Sequence, residues 1–229
     1  MSANPNMAEV AALLADPSRA EILMTLLDGR YHTASELAYA AAIKPQTASF
    51  HLAKMVQASL VAAEKSGRHR YYQLANKEVA RILESFLSIS QPKEVRSFKQ
   101  SSQSKMLRKA RTCYDHLAGQ LGVSLTESMI ESGYLDKEEK EFVVTPKGEE
   151  FYVDFGLNLT ELRKKRRSFS RVCLDWSERK HHLAGALGKA LTDQLFERNW
   201  VERVPTIRAV EITPTGKREL NKLFNLEFD

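Results

Sequence analysis

Gln46, Thr47 and Ser49 follow directly on Pro45, at the head of the run PQTASFHLAKMVQASL. A proline suits the first position of a helix, where the missing N–H would have no helical partner. The three polar side chains therefore fall in a helix's first turn. A glutamine amide can bond an adenine edge at two points, a threonine methyl can meet a thymine methyl, and a serine hydroxyl can serve either kind of edge. Lys54, further along, has the reach and charge for a phosphate. His51 lies on the border of this face, where it either joins the polar edge or packs inward. Beyond the helix comes Lys65-Ser-Gly-Arg68-His69-Arg70, a cationic tip suited to a phosphate backbone or a minor groove.

A second set of reactive types sits later. Cys113, Asp115 and His116 form one group; Cys173, Asp175, His181 and His182 form another. Thiolates from equivalent positions of a repeat can meet across a pseudo-twofold axis. No Cys-x-x-Cys or His-x-x-x-His spacing is present, however, so the expectation is no metal site and no cofactor. The plainer reading is buried cysteine with Arg/Asp pairs at i, i+4, Arg111 with Asp115 and Arg171 with Asp175. A thiol switch at Cys113 or Cys173 is the alternative. Trp176 and Trp200, with Phe151, Tyr152 and Phe155, either line an effector pocket or fill a core.

Elements able to position the first group are written around it. Asp16-Pro17 can cap and open a helix carrying Leu23, Leu26 and Leu27 on one face, which Gly29 ends. Thr33 and Glu36 have capping-box spacing ahead of SELAYAAAI. Pro45 then opens the helix with the polar edge, for which Phe50, Leu52 (or Ala53) and Val56 are the expected inward face. Leu60–Glu64 and Arg68–Leu74 flank Ser66-Gly67 as a hairpin. NKEVARILESFLSI closes the segment as an amphipathic helix with Val79, Ile82, Leu83 and Phe86 on one side. Helix, turn, helix and basic hairpin make a winged helix-turn-helix layout.

The remainder is duplicated. RTCYDHLAGQLG at 111–122 returns as RVCLDWSERKHHLAGALG at 171–188, and VVTPKGEEF returns as EITPTGKREL. The offset from Leu117 to Thr145 is 28 residues, and from Leu183 to Thr213 it is 30. Such self-similarity marks a repeated unit, here with a helix, strand, turn, helix pattern like a winged-helix module. Between the copies, FGLNLTELRKKRRSFS reads as a helix whose run Arg163–Arg167 is either a solvated face or a contact to nucleic acid.

Residues 6–88 resemble the ArsR/SmtB family of bacterial winged-helix transcription regulators. The resemblance lies in ALLADPSRAEILMTLL, in ASELAYAAAIKPQTASFHLAKMVQASLV with Thr47, Ser49, His51 and Leu52 at its centre, and in AAEKSGRHRYYQL. It implies a homodimer joined through the first and last helices of the domain, operator binding, and repression. By the same resemblance Gln46, Thr47, Ser49 and the wing arginines are DNA contacts. The chain departs from the family where many relatives bind metal: SELAYAAAI holds no Cys or His, and NKEVARILESFL holds no His.

The 229 residues carry 34 Lys+Arg and 29 Asp+Glu, a net charge of +5. Six of the basic residues fall in 90–110, against Glu94 alone. That stretch reads as a basic linker, or as an arm near phosphates. Apolar residues at 43 % and charged residues at 28 % fit a globular chain. No secretory signal or membrane span is evident, and two cysteines suit a reducing cytoplasm. No phosphate loop, nucleophile elbow, HExxH or dinucleotide fingerprint appears, so no enzyme is expected.

The expected fold is mainly α with short β-hairpins: an N-terminal winged helix-turn-helix over 1–90, a basic linker or helix over 91–110, and two winged-helix-like repeats over 111–170 and 171–229. The expected function is a homodimeric, sequence-specific regulator of a double-stranded DNA operator. Its contacts would be Gln46, Thr47, Ser49, His51, Lys54, Arg68, His69 and Arg70. The repeats would sense a small-molecule effector or support the dimer, with Cys113, Cys173 and Trp176 as sensor residues. A protein-interaction scaffold and a thiol or small-molecule sensor remain alternatives.

Overall fold

The computed structural model describes residues 6–91, 94, 95 and 97–228; Lys93 and Arg96 of the basic stretch lie outside them. The chain divides into two compact units, one running to Phe86 and one from Leu87. Among the described residues no helix is long and apolar enough to cross a membrane.

The first unit runs α1 (Met7–Leu14), α2 (Pro17–Leu26), β1 (His32–Thr33), α3 (Ala34–Ala40), α4 (Pro45–Gln57), β2 (Val61–Ser66), β3 (His69–Leu74) and α5 (Lys77–Ile89). The Asp16 carboxylate accepts the Arg19 N–H at 2.9 Å and Pro17 takes the first helical position, a cap worth about 1 kcal/mol. Before α3, Glu36 Oε2 accepts the Thr33 N–H at 2.7 Å and Thr33 Oγ1 accepts the Glu36 N–H at 3.3 Å. Lys44, ahead of Pro45, is extended, as a residue preceding proline prefers.

Leu23 and Leu26 of α2 with Leu27 at its C-cap, Leu37 of α3, Ala48, Leu52 and Met55 of α4, and Val61, Tyr72 and Leu74 of the hairpin are all buried, with α3 packed on both α2 and α4 and the hairpin on α2 and α4. The inward stripe of α4 is thus 48, 52, 55. Phe50, expected in that stripe, is instead 58 % exposed. At about 100° per residue it stands about 200° round from both Ala48 and Leu52, on the opposite face. The sheet has the order β1-β3-β2, antiparallel throughout. Ser66 pairs with His69 across a turn through Gly67 and Arg68. Asp28 ties the approach to β1: it accepts the Arg30 N–H at 2.9 Å and the Arg30 Nε–H at 2.7 Å, and meets His32 Nε2 at 2.9 Å. Burial works against its charge, but His32 and Arg30 outweigh that and hold its carboxyl below the usual range.

Beyond the end of α5, whose last residues from Leu87 fall in the second unit, comes α6 (Phe98–Lys109), so the basic stretch is helical from Phe98. Two copies of hairpin, helix, hairpin, helix follow. The first is β4 (Arg111–Cys113), β5 (His116–Ala118), α7 (Gly119–Glu131), β6 (Leu135–Lys137), β7 (Phe142–Val144) and α8 (Pro146–Asp154). The short α9 (Leu159–Arg163) intervenes. The second copy is β8 (Arg171–Leu174), β9 (His181–Ala184), α10 (Gly185–Glu197), β10 (Val201–Arg203), β11 (Val210–Ile212) and α11 (Pro214–Phe224). Each hairpin is its own two-stranded sheet. The TPxG turns recur because backbone passes close: a Cβ at Gly216 would lie 1.8 Å from the Trp200 carbonyl oxygen.

One core serves both copies, with Leu121, Leu125 and Met129 of α7 in the same cluster as Leu187, Leu191 and Leu195 of α10. The copies also exchange polar contacts. The Leu117 N–H donates to Thr192 Oγ1 at 3.0 Å, and the Leu183 N–H donates to Thr126 Oγ1 at 2.9 Å. The acid–base pairs are long-range, and one of them joins the copies. Arg111 binds Asp175 at 2.8 Å and Arg167 binds Asp115, in place of the expected pairs within each copy. The i, i+4 rule belongs to helices, and residues 111–113 and 171–174 are strands. The run Arg163–Arg167 likewise leaves the helix after Arg163; Arg163 pairs with Glu149, and Lys164 with Glu161.

Asp175 and Arg111 are fully buried. The carboxylate also accepts the Gly119 N–H at 2.6 Å, the Ser177 N–H at 2.9 Å and the Ser177 hydroxyl at 2.7 Å. Burial opposes its charge, but Arg111 and these donors prevail and hold the carboxyl well below the usual range.

Two outcomes follow. Asp175→Ala leaves a buried guanidinium uncompensated and lowers the second unit's stability by about 3–5 kcal/mol, read by urea unfolding followed through Trp176 and Trp200, both in that unit. Asp28 has a depressed folded pKa, so its contribution is complete above the ordinary carboxylate pKa of about 3.9 and fades as pH falls below it. Asp28→Asn is therefore less stable than the parent at pH 7, and the gap narrows towards pH 3 in urea titrations followed by circular dichroism.

Candidate nucleic-acid interface

The outward face of α4 is set by its inward one. With Ala48, Leu52 and Met55 sealed, Gln46, Thr47, Ser49, Phe50, Ala53, Lys54 and Gln57 are exposed. Gln46 and Thr47 occupy the first turn after Pro45. The Lys54 ammonium sits 4.4 Å from the centre of the Phe50 ring, so a cation and an aromatic face stand together on the polar side. Helical phase about Ala48, rather than apolar character, was the signal that would have placed Phe50 there.

His51 requires correction as a candidate contact. It is buried among the residues of α4, its Nδ1 meeting Arg19 Nη1 at 3.4 Å and its Nε2 lying 4.0 Å from Asp16 Oδ1. It packs against the start of α2 and fixes where α4 lies on the fold. The Arg19 N–H that Asp16 caps, with the Arg19 and His51 side chains, holds the Asp16 carboxyl below its usual range.

Residues 63–70 of the hairpin are all exposed. Lys65 faces Arg70 across the strands, and Arg68 Nε lies 3.4 Å from His69 Nε2. Four basic or titratable side chains thus share one tip.

The later candidates lie in the second unit. Trp176 stacks on the buried Arg111, whose guanidinium carbon is 4.0 Å from the ring centre. Phe151, Tyr152, Phe155 and Trp200 form a core cluster with Phe224; the Phe155 and Trp200 ring centres are 5.6 Å apart. The cavity lined by Leu117, Thr126, Leu183 and Thr192 measures about 10 Å³, room for a single water at most. Cys113 is buried, with its Sγ 3.9 Å from that of Cys173. Burial works against a charge on His116, but the neighbouring Cys113 sulfur and Asp115 carboxylate outweigh it and lift its pKa to about 9.

Residues 14–63, which contain α2, α3 and α4, match the family described as helix-turn-helix domain. Over 224 residues the chain is 51 % identical to the HTH-type transcriptional regulator YdfF of Bacillus subtilis (strain 168), covering 98 % of this chain and 99 % of that protein. The chain belongs to the HTH-type transcriptional regulators. Its match to YdfF takes in both units. Among solved structures, this regulator is similar to the winged helix-turn-helix DNA-binding domain Mb0332 of Mycobacterium bovis, at 28 % identity over 38 % of this chain and 86 % of that one, TM-score 0.33. It is also similar to reduced HlyU of Vibrio cholerae N16961, at 25 % identity over 37 % and 88 %, TM-score 0.34.

The regulator's α4 face gives a direct test. Ala53→Glu sets a carboxylate on the exposed side without disturbing the core, so the circular dichroism stays that of the parent while affinity for promoter DNA falls at least about tenfold, measured by fluorescence anisotropy. The same substitution at Ala48, which is fully buried, unfolds the first unit instead.

Proposed function

We propose that this regulator acts as a homodimer that lays α4 of each protomer in the major groove of an operator half-site and represses the promoter it covers. The observation that carries the reading is the division of α4, apolar on the side of Ala48, Leu52 and Met55 and exposed at Gln46, Thr47, Ser49 and Lys54. A helix held this way presents its leading turn to base edges. Gln46 suits an adenine edge, while Thr47 and Phe50 suit a thymine methyl. Arg68, His69 and Arg70 then lie against the sugar-phosphate backbone or the minor groove, where they add affinity without sequence preference.

The dimer reading is supported by α1 and α5. Met7 is 80 % exposed, Ile82 51 % and Ile89 76 %. Apolar side chains gathered on the outer helices of a DNA-binding unit suit a second copy of the same surface. The second unit, with the duplicated repeats, takes the sensing or dimer-supporting role, in which an effector shifts the population of the spacing that fits DNA.

Binding to fragments of the regulator's own promoter, measured by anisotropy across a salt series, tests the reading. Replacing Arg68 and Arg70 by Ala weakens every sequence alike and lowers the salt slope by about two. Gln46→Ala changes base preference at one position, at a cost of about 1–3 kcal/mol for the preferred base. Ile82→Glu sediments as a monomer and loses operator affinity. Deleting the gene raises expression from the bound promoter. Unchanged affinity in all the variants, or a fall in expression on deletion, would overturn the assignment.

A further inference from the structure

Each repeat brings one cysteine and one histidine to the same buried point. In the first hairpin Cys113 pairs with His116, and in the second Cys173 pairs with His182. The two sulfurs are 3.9 Å apart and the two Nε2 atoms 3.1 Å apart. All four ligand atoms lie within 4.8 Å of one another. For bonds of about 2.3 Å to sulfur and about 2.0–2.1 Å to nitrogen, the edges of a tetrahedron come to about 3.8 Å between sulfurs and about 3.3 Å between nitrogens. The observed pairs have nearly those lengths. The sulfur separation is well beyond the roughly 2.05 Å of a disulfide.

The surroundings follow the same plan. Both histidines turn Nε2 to the cluster and Nδ1 towards a carboxylate: His116 Nδ1 is 3.4 Å from Asp115, and His182 Nδ1 is 3.8 Å from Asp175. His182 Nδ1 is buried without a hydrogen bond. A carboxylate hydrogen-bonded behind an imidazole orients a metal-binding histidine and fixes its tautomer; Asp115 stands so behind His116, and Asp175 is the carboxylate nearest the unpartnered Nδ1 of His182. Arg167 and Arg111 hold those carboxylates in turn.

We propose that Cys113, His116, Cys173 and His182 form a tetrahedral site for a thiophilic divalent cation of the zinc class, closed by two ligands from each repeat. Four protein ligands leave no open position, so the ion is a staple between the copies and not a catalyst. Binding requires both cysteines as thiolates and both imidazoles neutral at Nε2, so whatever protons those four atoms carry are released to solvent and uptake strengthens as pH rises. The site is separate from α4 and stands whether or not the operator reading does.

The full chain, reduced and stripped with chelator, is titrated with Co²⁺ and then Zn²⁺. One equivalent of Co²⁺ gives the intense visible bands of tetrahedral cobalt with a near-ultraviolet thiolate charge-transfer band, and Zn²⁺ bleaches both. At a hundredfold excess of free Zn²⁺ over Kd the thermal midpoint rises by about 5–10 °C, and chelator reverses it. Cys113→Ser with Cys173→Ser, a nearly isosteric change, keeps the metal-free circular dichroism and loses the charge-transfer band. Asp115→Asn keeps the bands but weakens binding by about 10–100-fold. Absence of the bands in the reduced parent overturns the proposal. So does an unchanged Co²⁺ affinity in the double variant, or a Cys113–Cys173 disulfide whose reduction restores no metal uptake.

Discussion

The buried pair of Arg111 and Asp175 is the constraint on which the second unit rests. Two charges removed from water are tolerated only when they face each other closely and further hydrogen bonds support them. Here the carboxylate meets a guanidinium from the other copy, the first N–H of α7 through Gly119, and the Ser177 turn of its own hairpin. One side chain thereby fixes the start of a helix, the shape of a loop and the register of one repeat on its twin. Trp176 covers the guanidinium face. The same carboxylate lies 3.8 Å from His182 Nδ1 in the cysteine–histidine cluster.

The first unit was largely legible from its residues. Asp16-Pro17, the Thr33–Glu36 box and Pro45 are local signals whose effect is decided within one helical turn, and each element begins where they say. The hairpin could be read for the same reason, since the Gly67 turn and the flanking strands are neighbours in sequence. Phase was harder. Phe50 is apolar and on that ground is expected inward, yet the small Ala48 seals that face and leaves the ring outside beside Lys54. His51 shows the converse, a polar residue drawn into the fold by Asp16 and Arg19.

In the second unit the repeat itself was plain, but its partnerships were not. Arg111 with Asp115 and Arg171 with Asp175 look like pairs on paper because they are close in sequence. Strand geometry points them elsewhere, and the actual partners are 64 and 52 residues away. The residues of the cysteine–histidine cluster, and the meeting of the two thiols across a pseudo-twofold axis, are legible in the repeat, but the missing spacing motif argues there against a metal. Spacing motifs detect ligands offered by one loop, whereas these come from two hairpins that meet only because both copies fold on one core.

The reciprocal threonines carry an implication for ancestry. Thr126 accepts from the backbone of the later copy and Thr192 from that of the earlier one, so neither copy meets its own needs. A lone copy would leave the Leu117 or Leu183 amide without its acceptor and half of a leucine seam in water. It would recover both by associating with an identical chain about a twofold axis. The present unit has the form of such a two-chain assembly fused into one polypeptide, after which each half was free to diverge at positions its counterpart does not touch.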